Sequence, residues 1–330
     1  MKTLLLSQEE VKSLITMEEV VEICDKTFQG MGDGTVINPT KLTLDLGEAS
    51  SYPPYEGFMN AMPAYIGWLD VAGLKWVGGF LGERKKMGLP FLTSLILLIN
   101  PRIGNFKAVM EGAHITNLRT GAQTAIFLKY LVDKKSINIG LYGAGMQGHT
   151  QTEAISKVLD IDELRVYDIN KEAALRFARN MEHAVKGRII IVDDPKEAAE
   201  GDAIITVTQS KERFVKNDWI KPGSMFFPMG SYQECENDLI LNMDKIIVDH
   251  VQQSLHRGAL KELNHQGKIT EEHISATIGE LAIGKKTIKI NNNERFLCIP
   301  IGTGALDVAV AEIVYNKAVK RGIGGSYEFA

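Results

Sequence analysis

Three glycines stand at the spacing Gly143-x-Gly145-x-x-Gly148, between an apolar run at residues 137–142 and a helical pattern. The first glycine permits a tight turn, the second lets backbone amides approach a pyrophosphate, and the third lets the helix pack close to the strand. Twenty residues later, a second apolar run ends in Asp168, whose carboxylate would accept ribose hydroxyls and repel a 2′-phosphate. This layout predicts a dinucleotide-binding βαβ unit that takes NAD rather than NADP.

The helix that follows the glycines would direct its free N–H groups and positive dipole end at the phosphates. Backbone amides would make many of these contacts, because glycine lets the main chain approach a ligand closely. The residues predicted to contact the cofactor are Gly143, Ala144, Gly145, Met146, Gln147, Gly148 and Asp168, together with Thr208 at the end of a later predicted strand.

A lysine, Lys75, lies in the otherwise apolar run Gly73-Leu-Lys-Trp-Val77, where an unpaired ammonium group would be costly to bury. Partial burial beside another cation would lower the pKa of Lys75 and suit it to donate or accept a proton. A structural ion pair would explain a lysine at this position equally well. The residues alone leave both interpretations open.

Seven further segments run in order along almost the whole chain, and together they resemble the ornithine cyclodeaminase/mu-crystallin family. Its members include cyclodeaminases, archaeal-type alanine dehydrogenases and cyclic ketimine reductases, and the closing segment is most similar to the alanine dehydrogenase branch. The segments are Pro39-Thr-Lys-Leu-Thr-Leu-Asp-Leu46, Ala61-Met-Pro-Ala64, Ala72-Gly-Leu-Lys-Trp-Val77, Gly88-Leu-Pro90, Leu118-Arg-Thr-Gly-Ala122, Thr277-Ile-Gly-Glu280 and Gly304-Ala-Leu-Asp-Val-Ala-Val-Ala311.

The resemblance implies a homodimer that binds NAD(H) in a cleft between domains, with a small α-amino or α-imino acid beside the nicotinamide. It places Lys75 at the substrate and Lys41 on the substrate carboxylate. Arg119 would touch both that carboxylate and a cofactor phosphate, and Thr120 of the same motif would contact the cofactor. Gly302 would line the substrate pocket. An arginine suits the carboxylate role because its planar guanidinium binds carboxylates bidentately.

Two positions depart from the family pattern. Asn60 stands where many relatives carry an arginine, which removes one cation from the expected carboxylate clamp. Tyr232 stands where cyclodeaminases and alanine dehydrogenases carry an aspartate assigned to proton transfer. A phenol ordinarily titrates near pH 10, so Tyr232 would act as a hydrogen-bond donor or proton shuttle, or would only pack at a strand end. Glu234 would replace the missing carboxylate only in a reshaped loop.

Loss of that aspartate favours net redox chemistry over cyclodeamination. We therefore expect an NAD(H)-dependent oxidoreductase acting on the CH–NH or CH–NH2 group of a small α-amino or α-imino acid, with Lys75 and Tyr232 as the catalytic pair. Lys41, Asn60, Arg119 and Gly302 would bind the substrate. The alternatives are an ammonia-lyase of the cyclodeaminase type that holds NAD as a catalytic cofactor, and a dinucleotide-binding protein without catalysis.

The basic run Gly82-Glu-Arg-Lys-Lys-Met-Gly88 follows the Lys75 segment. Charge clusters of this kind are usually solvated loops, and that is the expectation here. The alternative is that Arg84, Lys85 or Lys86 meets a second acidic group on the substrate.

The order of elements predicts an α/β protein with two domains. Alternating strand and helix patterns from residue 135 onward indicate a Rossmann-type, doubly wound parallel sheet. A capping box at Ser7-Gln-Glu-Glu10 predicts a helix, a second helix is expected at residues 17–28, and strands are expected at 41–46, 73–77 and 93–99. We assign residues 1–116 and 303–330 to an α+β catalytic and dimerisation domain and residues 117–302 to the NAD-binding domain.

Bulk composition excludes several other classes. At 330 residues the chain can form two sizeable cores. A net charge of −4 gives no reason to expect nucleic-acid binding. From the sequence we expect neither a signal peptide nor a membrane-spanning segment. Cys24, Cys235 and Cys298 are scattered and odd in number, so we expect no disulfide framework, no metal site and a cytoplasmic location.

Overall fold

The structure is a computed structural model that describes residues 2–47, 55–230 and 232–329. The chain divides into two compact units, one formed by Met1–Arg119 with Thr303–Ala330 and the other by Thr120–Gly302. Each unit contains its own β-sheet. The first unit carries the substrate-binding residues predicted before residue 120, and the second carries the predicted glycine-rich turn.

The strands in chain order are β1 (Lys2–Leu6), β2 (Val36–Ile37), β3 (Leu42–Asp45), β4 (Gly57–Ile66), β5 (Val71–Phe80), β6 (Leu92–Ile99), β7 (Phe106–Glu111), β8 (Ser136–Tyr142), β9 (Asp160–Tyr167), β10 (Arg188–Ile191), β11 (Ala203–Thr206), β12 (Met225–Pro228), β13 (Lys245–Val248), β14 (Ala276–Thr277), β15 (Phe296–Ile299) and β16 (Gly325–Glu328). The α-helices are α1 (Gln8–Leu14), α2 (Met17–Asp33), α3 (Gly82–Lys86), α4 (Ala113–Leu131), α5 (Met146–Ile155), α6 (Lys171–Met181), α7 (Asn237–Leu241), α8 (Val251–His256), α9 (Lys261–His265), α10 (Ile278–Ala282) and α11 (Gly304–Arg321). Short 3-10 helices lie at Gly67–Leu69, Glu182–Ala184, Pro195–Glu200, Asn217–Trp219, Gly258–Leu260 and Glu271–His273.

The sheet of the first unit has the order β16-β1-β7-β6-β5-β4-β2, and β3 pairs with β4. Strands β4 to β7 form an antiparallel meander. Helix α11 packs very closely on this sheet: a Cβ at Gly304 would lie 2.5 Å from the Met62 carbonyl oxygen, and one at Gly73 would lie 3.0 Å from the Val308 side chain. These two glycines therefore let the start of α11 lie against the middle of β4 and β5.

The sheet of the second unit has the order β10-β9-β8-β11-β12-β15-β13-β14, and its strand pairs are parallel. From β8 the chain runs outward to β9 and β10 and then returns to β11 on the other side of β8. This reversal is the topological switch point at which doubly wound sheets bind their ligands. Strand and helix residues enclose an apolar core that includes Phe226, Leu239 and Leu260.

The α/β architecture expected from the sequence is confirmed, and local capping is confirmed at Ser7, whose hydroxyl and Glu10 form a reciprocal capping box. The second helix is longer than expected. It continues through two glycines to Asp33 and ends at Gly34 with φ of 82°, because its buried face lowers the cost of interior glycine. The basic run at residues 82–88 was wrongly expected to be a loop, since α3 occupies its first five residues.

Several strands were not predicted from the sequence patterns, and β1, β4, β15 and β16 show why. β1 and β15 are short apolar runs, and such runs do not distinguish strand from helix. β4 contains Asn60 and Pro63, which are uncommon in strands. β16 is exposed at every position and is held by its antiparallel pairing with β1 rather than by an apolar face. Pairing partners, which the local sequence does not contain, decide these elements.

Candidate active site

The glycine-rich turn of the second unit has the geometry that a dinucleotide needs. Gly143 adopts φ of 106°, and a Cβ at Gly148 would lie 2.4 Å from the Gly143 carbonyl oxygen. A Cβ at Gly145 would meet nothing within 4 Å, so its backbone faces open space. Gly145 is the N-cap of α5 and provides no side-chain cap, which leaves amide donors at this helix start. The turn therefore fits a pyrophosphate.

The predicted ribose ligand, Asp168, lies at the carboxyl end of β9. Its carboxylate accepts hydrogen bonds from the Ala144 N–H at 2.8 Å and from the Asn170 N–H at 2.8 Å. The first bond ties the carboxylate to the glycine-rich turn. Ile169, which the sequence analysis missed, is 94% exposed beside it. An exposed apolar side chain at this position suits contact with an adenine ring.

Two further predicted cofactor residues are engaged within the second unit. The Thr120 carbonyl accepts a hydrogen bond from Gln151 of α5 at 3.3 Å, and a Cβ at Gly121 would lie only 2.1 Å from the Thr150 carbonyl oxygen. Thr208 follows β11 and donates its N–H at 2.8 Å, and also its hydroxyl, to Glu234. Burial raises the pKa of Glu234 to about 7, against the lowering effect of Thr208. Glu234 therefore holds the Thr208 turn and is not placed as a solvent-facing replacement base.

The first unit places Lys75 on β5, on the sheet face that α11 covers. Lys75 is fully buried, and its Nζ lies 2.6 Å from Asp307 Oδ2. Burial and the nearby Arg119 charge lower the pKa of Lys75 to about 7, although Asp307 opposes the shift. Among the described residues, no other acceptor takes a hydrogen bond from this ammonium group. It therefore retains donor capacity for a ligand.

Arg119 of α4 shares the same carboxylate. Its Nε lies 3.2 Å from Asp307 Oδ1, and the Thr116 hydroxyl donates to that oxygen at 3.2 Å. The sequence analysis quoted Asp307 within a motif but gave it no role. The available signal was a carboxylate one turn into a long apolar helix, because a buried charge needs a partner. The structure supplies both partners, Lys75 and Arg119.

Two more predicted substrate residues lie in the first unit. Asn60 of β4 is buried and accepts a hydrogen bond from the Thr43 hydroxyl at 2.6 Å. Lys41 lies just before β3, half-buried, and its charge also lowers the pKa of Lys75. Around Lys75, Lys41 and Arg119 are the cations that lower its pKa and Asp307 is the carboxylate that raises it. This arrangement suits an anionic ligand.

Gly302 and Tyr232 belong to the second unit. Gly302 has φ of 89°, and its N–H donates to Asp249 Oδ2 at 2.7 Å. The same oxygen accepts from the Gln123 amide at 2.9 Å, so a buried aspartate fixes the Gly302 backbone. Tyr232 is half-buried in the segment after β12, and its neighbour Ser231 lies outside the described residues. Its catalytic role stays a prediction.

In the basic segment of α3, Arg84 and Lys86 form hydrogen bonds and an ion pair with nearby residues. Arg84 donates through Nε to the Pro90 carbonyl and through a second nitrogen to the Leu92 carbonyl at 3.4 Å. Lys86 pairs with Glu83 at 2.6 Å in solvent. These contacts stabilise the connection between β5 and β6, and they favour the structural interpretation of the segment over a role in substrate binding.

Within the described ranges, no group of three His, Cys, Asp or Glu side chains is arranged to hold a metal ion. The same part of the chain contains no helix that is long and apolar enough to cross a membrane.

Comparisons with known proteins agree with these features. The chain is 35% identical to an alanine dehydrogenase from Archaeoglobus fulgidus over 100% of this chain and 99% of that protein. It superposes on an archaeal alanine dehydrogenase dimer with bound NAD at a TM-score of 0.91, with 34% identity and full coverage of both chains. It also superposes on a Thermococcus litoralis Δ1-pyrroline-2-carboxylate reductase in complex with NADH and L-proline at a TM-score of 0.89. The identity is 32%, over 98% of this chain and 99% of that chain. Residues 1–322 match the ornithine cyclodeaminase/mu-crystallin family, and the chain belongs to that family.

Proposed function

We propose that this protein is an NAD(H)-dependent oxidoreductase that interconverts a small α-imino acid and the corresponding α-amino acid. The observation that carries the proposal is the buried Lys75, whose pKa is lowered to about 7 between Arg119 and Asp307. A group that titrates near neutral pH is well matched to exchange a proton with an imino nitrogen. Solved relatives with 34% and 32% identity contain NAD and NADH.

The residues of the first unit have separate roles in substrate binding and proton transfer. Arg119 binds the substrate carboxylate, and Lys41 adds positive charge to the same task. The Asn60 side chain, fixed by Thr43, gives the site a neutral polar surface. Lys75 donates a proton to the imino nitrogen in reduction and accepts it in oxidation. When bound, the nicotinamide supplies or takes the hydride at the α-carbon.

In the second unit, the amides that begin α5 hold the pyrophosphate of NAD. Asp168 accepts the ribose hydroxyls and disfavours a 2′-phosphate. Ala144, Met146, Gln147, Thr120 and Thr208 complete the proposed cofactor contacts. Tyr232 is proposed as a hydrogen-bond donor in the reaction, because it is only half-buried in the segment after β12.

The decisive test is NADH consumption by purified protein with preformed cyclic imines and with 2-oxo acids plus ammonia. We expect imine-dependent oxidation of NADH and little activity with NADPH. Ammonia release from ornithine-like diamino acids without net change in NADH would instead establish the cyclodeaminase alternative. Cofactor binding without turnover in either assay would contradict an enzymatic role.

We also propose that the protein is a homodimer, as one solved relative is. The face of the first-unit sheet opposite Lys75 carries apolar side chains, because alternate residues of a strand point to opposite faces. Trp76 is 50% exposed and Leu95 is 51% exposed, and these two residues are paired across β5 and β6. Leu74 and Leu97 are paired two residues along. A contiguous apolar face of this kind suits association with a second copy.

Trp76→Glu combined with Leu95→Glu should convert the dimer into a monomer of 36.5 kDa in light scattering at micromolar concentration. Two carboxylates at these paired positions cannot neutralise each other, and between copies they would be desolvated without good partners. Ile103→Lys is the matched control, since Ile103 is also an exposed apolar residue but lies in the turn between β6 and β7. A wild-type monomer, or a charge variant that remains dimeric, would refute this interface.

Three cysteines, Cys24, Cys235 and Cys298, are buried as free thiols. Burial raises the pKa of each thiol, so all three are neutral and unreactive. This supports a reducing compartment, and we propose that the enzyme acts in the cytoplasm.

A further inference from the structure

Asp307 is the negative centre of the cluster in the first unit, and its position is set by two elements. Helix α11 carries it in the first turn, and the close approach of Gly304 to Met62 fixes that turn against β4. Its side chain is completely buried. A buried carboxylate is retained only where cations and donors compensate for its lost hydration.

The two oxygens of Asp307 serve different partners. Oδ2 lies 2.6 Å from the Lys75 ammonium nitrogen, whereas Oδ1 lies 3.2 Å from both Arg119 Nε and the Thr116 hydroxyl. One planar carboxylate thus connects a residue of β5 to residues of α4. The residue proposed to move the proton and the residue proposed to bind the substrate carboxylate are held at a fixed separation.

The remaining charged and titratable neighbours would not replace Asp307. Arg119 and Lys41 are cations and lower the pKa of Lys75, as burial does. Cys24 of α2 is buried close enough to sense Arg119, Asp307 and Asp25, and burial raises the pKa of its thiol, which is therefore neutral. Asp25 is not among the groups that shift the pKa of Lys75. Asp307 is the anion that opposes these effects at Lys75.

We propose that Asp307 is a positioning residue. Its carboxylate holds the Lys75 ammonium group in a fixed position relative to the Arg119 guanidinium group and keeps the proton on Lys75. This inference rests on the proposed imine chemistry and deepens it. In this role Asp307 acts through Lys75 and Arg119, its two ion-pair partners. Without its carboxylate, Lys75 would face two cations in a buried site and would release its proton at lower pH.

The test compares the pH dependence of kcat/KM for NADH-dependent imine reduction in the wild type and in Asp307→Asn. In the wild type, kcat/KM should fall as pH rises above about 7, because Lys75 loses its proton there. In the variant, the fall should begin about 1 to 3 pH units lower, which is the usual effect of a close opposite charge. KM for the substrate should also rise, because Arg119 loses its anchor.

Matched variants separate positioning from general damage. Glu312→Gln removes another buried carboxylate of α11, one that pairs with Lys107 instead of Lys75, and it should leave the pH profile unchanged. Asp307→Glu restores the charge and should return the profile toward that of the wild type. A uniform loss of kcat in Asp307→Asn with an unmoved pH profile would overturn the inference and leave Asp307 a structural residue.

A second measurement does not depend on turnover. Thermal unfolding of Asp307→Asn and of the double variant Lys75→Met/Asp307→Asn should be followed across pH, beside wild type and Lys75→Met. The folded pKa of Lys75 lies below its unfolded value, so the destabilisation caused by Lys75 is complete below the folded pKa and diminishes as pH rises above it. The difference in unfolding temperature between the wild type and Lys75→Met should begin to diminish near pH 7. The difference in unfolding temperature between Asp307→Asn and the double variant Lys75→Met/Asp307→Asn should begin to diminish at lower pH.

The two measurements distinguish failure of the proposed function from failure of the proposed role of Asp307. If the wild type reduces no imine, the proposed function fails, and the unfolding data still show whether Asp307 holds the proton on Lys75. If the wild type is active but both differences in unfolding temperature diminish from the same pH, the role of Asp307 is refuted while the proposed function stands.

Discussion

Replacing Lys75 with methionine is expected to lower kcat/KM for imine reduction by about 10²- to 10⁴-fold, the range attributed to a positioned acid or base. Methionine fills a similar volume and carries no proton. The ammonium group that it removes is fully buried on β5, and its pKa is lowered to about 7. Steady-state kinetics with a preformed cyclic imine would measure the loss directly, since no separate condensation with ammonia is needed.

The pH profile adds a second readout for the same variant. Wild-type kcat/KM should decrease about tenfold for each pH unit above the pKa of Lys75, near 7. In Lys75→Met, kcat/KM should lack this decrease and should vary with pH only as far as the substrate itself titrates. Lys107→Met is the control, because Lys107 of β7 also pairs with a carboxylate of α11 but lies outside the proposed site. Retention of more than a tenth of wild-type kcat/KM in Lys75→Met would exclude a proton-transfer role.

Replacing Asp168 with serine is expected to raise KM for NADH by about 10- to 100-fold and to remove the discrimination against NADPH. Hydrogen bonds to a charged group contribute about 1.5 to 3 kcal/mol, and loss of the carboxylate also removes its repulsion of a 2′-phosphate. The loop would lose the bond from the Ala144 N–H to this carboxylate as well. Initial rates with each cofactor varied separately would give both effects.

Asp193→Ser is a suitable control for this experiment. Asp193 is another carboxylate of the second unit, exposed in solvent and paired with Lys171 at 2.7 Å. Its removal should leave both cofactor constants within a factor of about two, as is usual for exposed pairs. If Asp168→Ser keeps the wild-type KM for NADH and still rejects NADPH, cofactor choice resides elsewhere in the site.

Much of the nucleotide unit could be predicted because its chemistry is encoded locally. The turn at Gly143 requires positive φ, and Gly148 must lack a side chain beside the Gly143 carbonyl. Such requirements leave a fixed spacing in the sequence. The order of β15 within the parallel sheet could not be predicted in this way, because β15 enters between β12 and β13 from far along the chain.

Lys75 shows the limit of local information most clearly. Its position in an apolar strand was evident, but the sequence left an ion pair and a site residue as competing interpretations. The structure shows an ion pair with Asp307, which is also shared with Arg119. These interpretations are therefore not exclusive: the same contacts that compensate the buried charge place it near Arg119, which we propose binds the substrate carboxylate.

The sequence by itself determined the α/β class, the dinucleotide turn, the family resemblance and the identity of most cationic residues, because each depends on local spacing or on residue type. Only the tertiary structure decided that Asp307 joins Lys75 to Arg119 and that Glu234 is committed to Thr208. Both outcomes depend on pairs far apart in the chain. Their energies arise from desolvation and charge pairing, which exist only when packing excludes water.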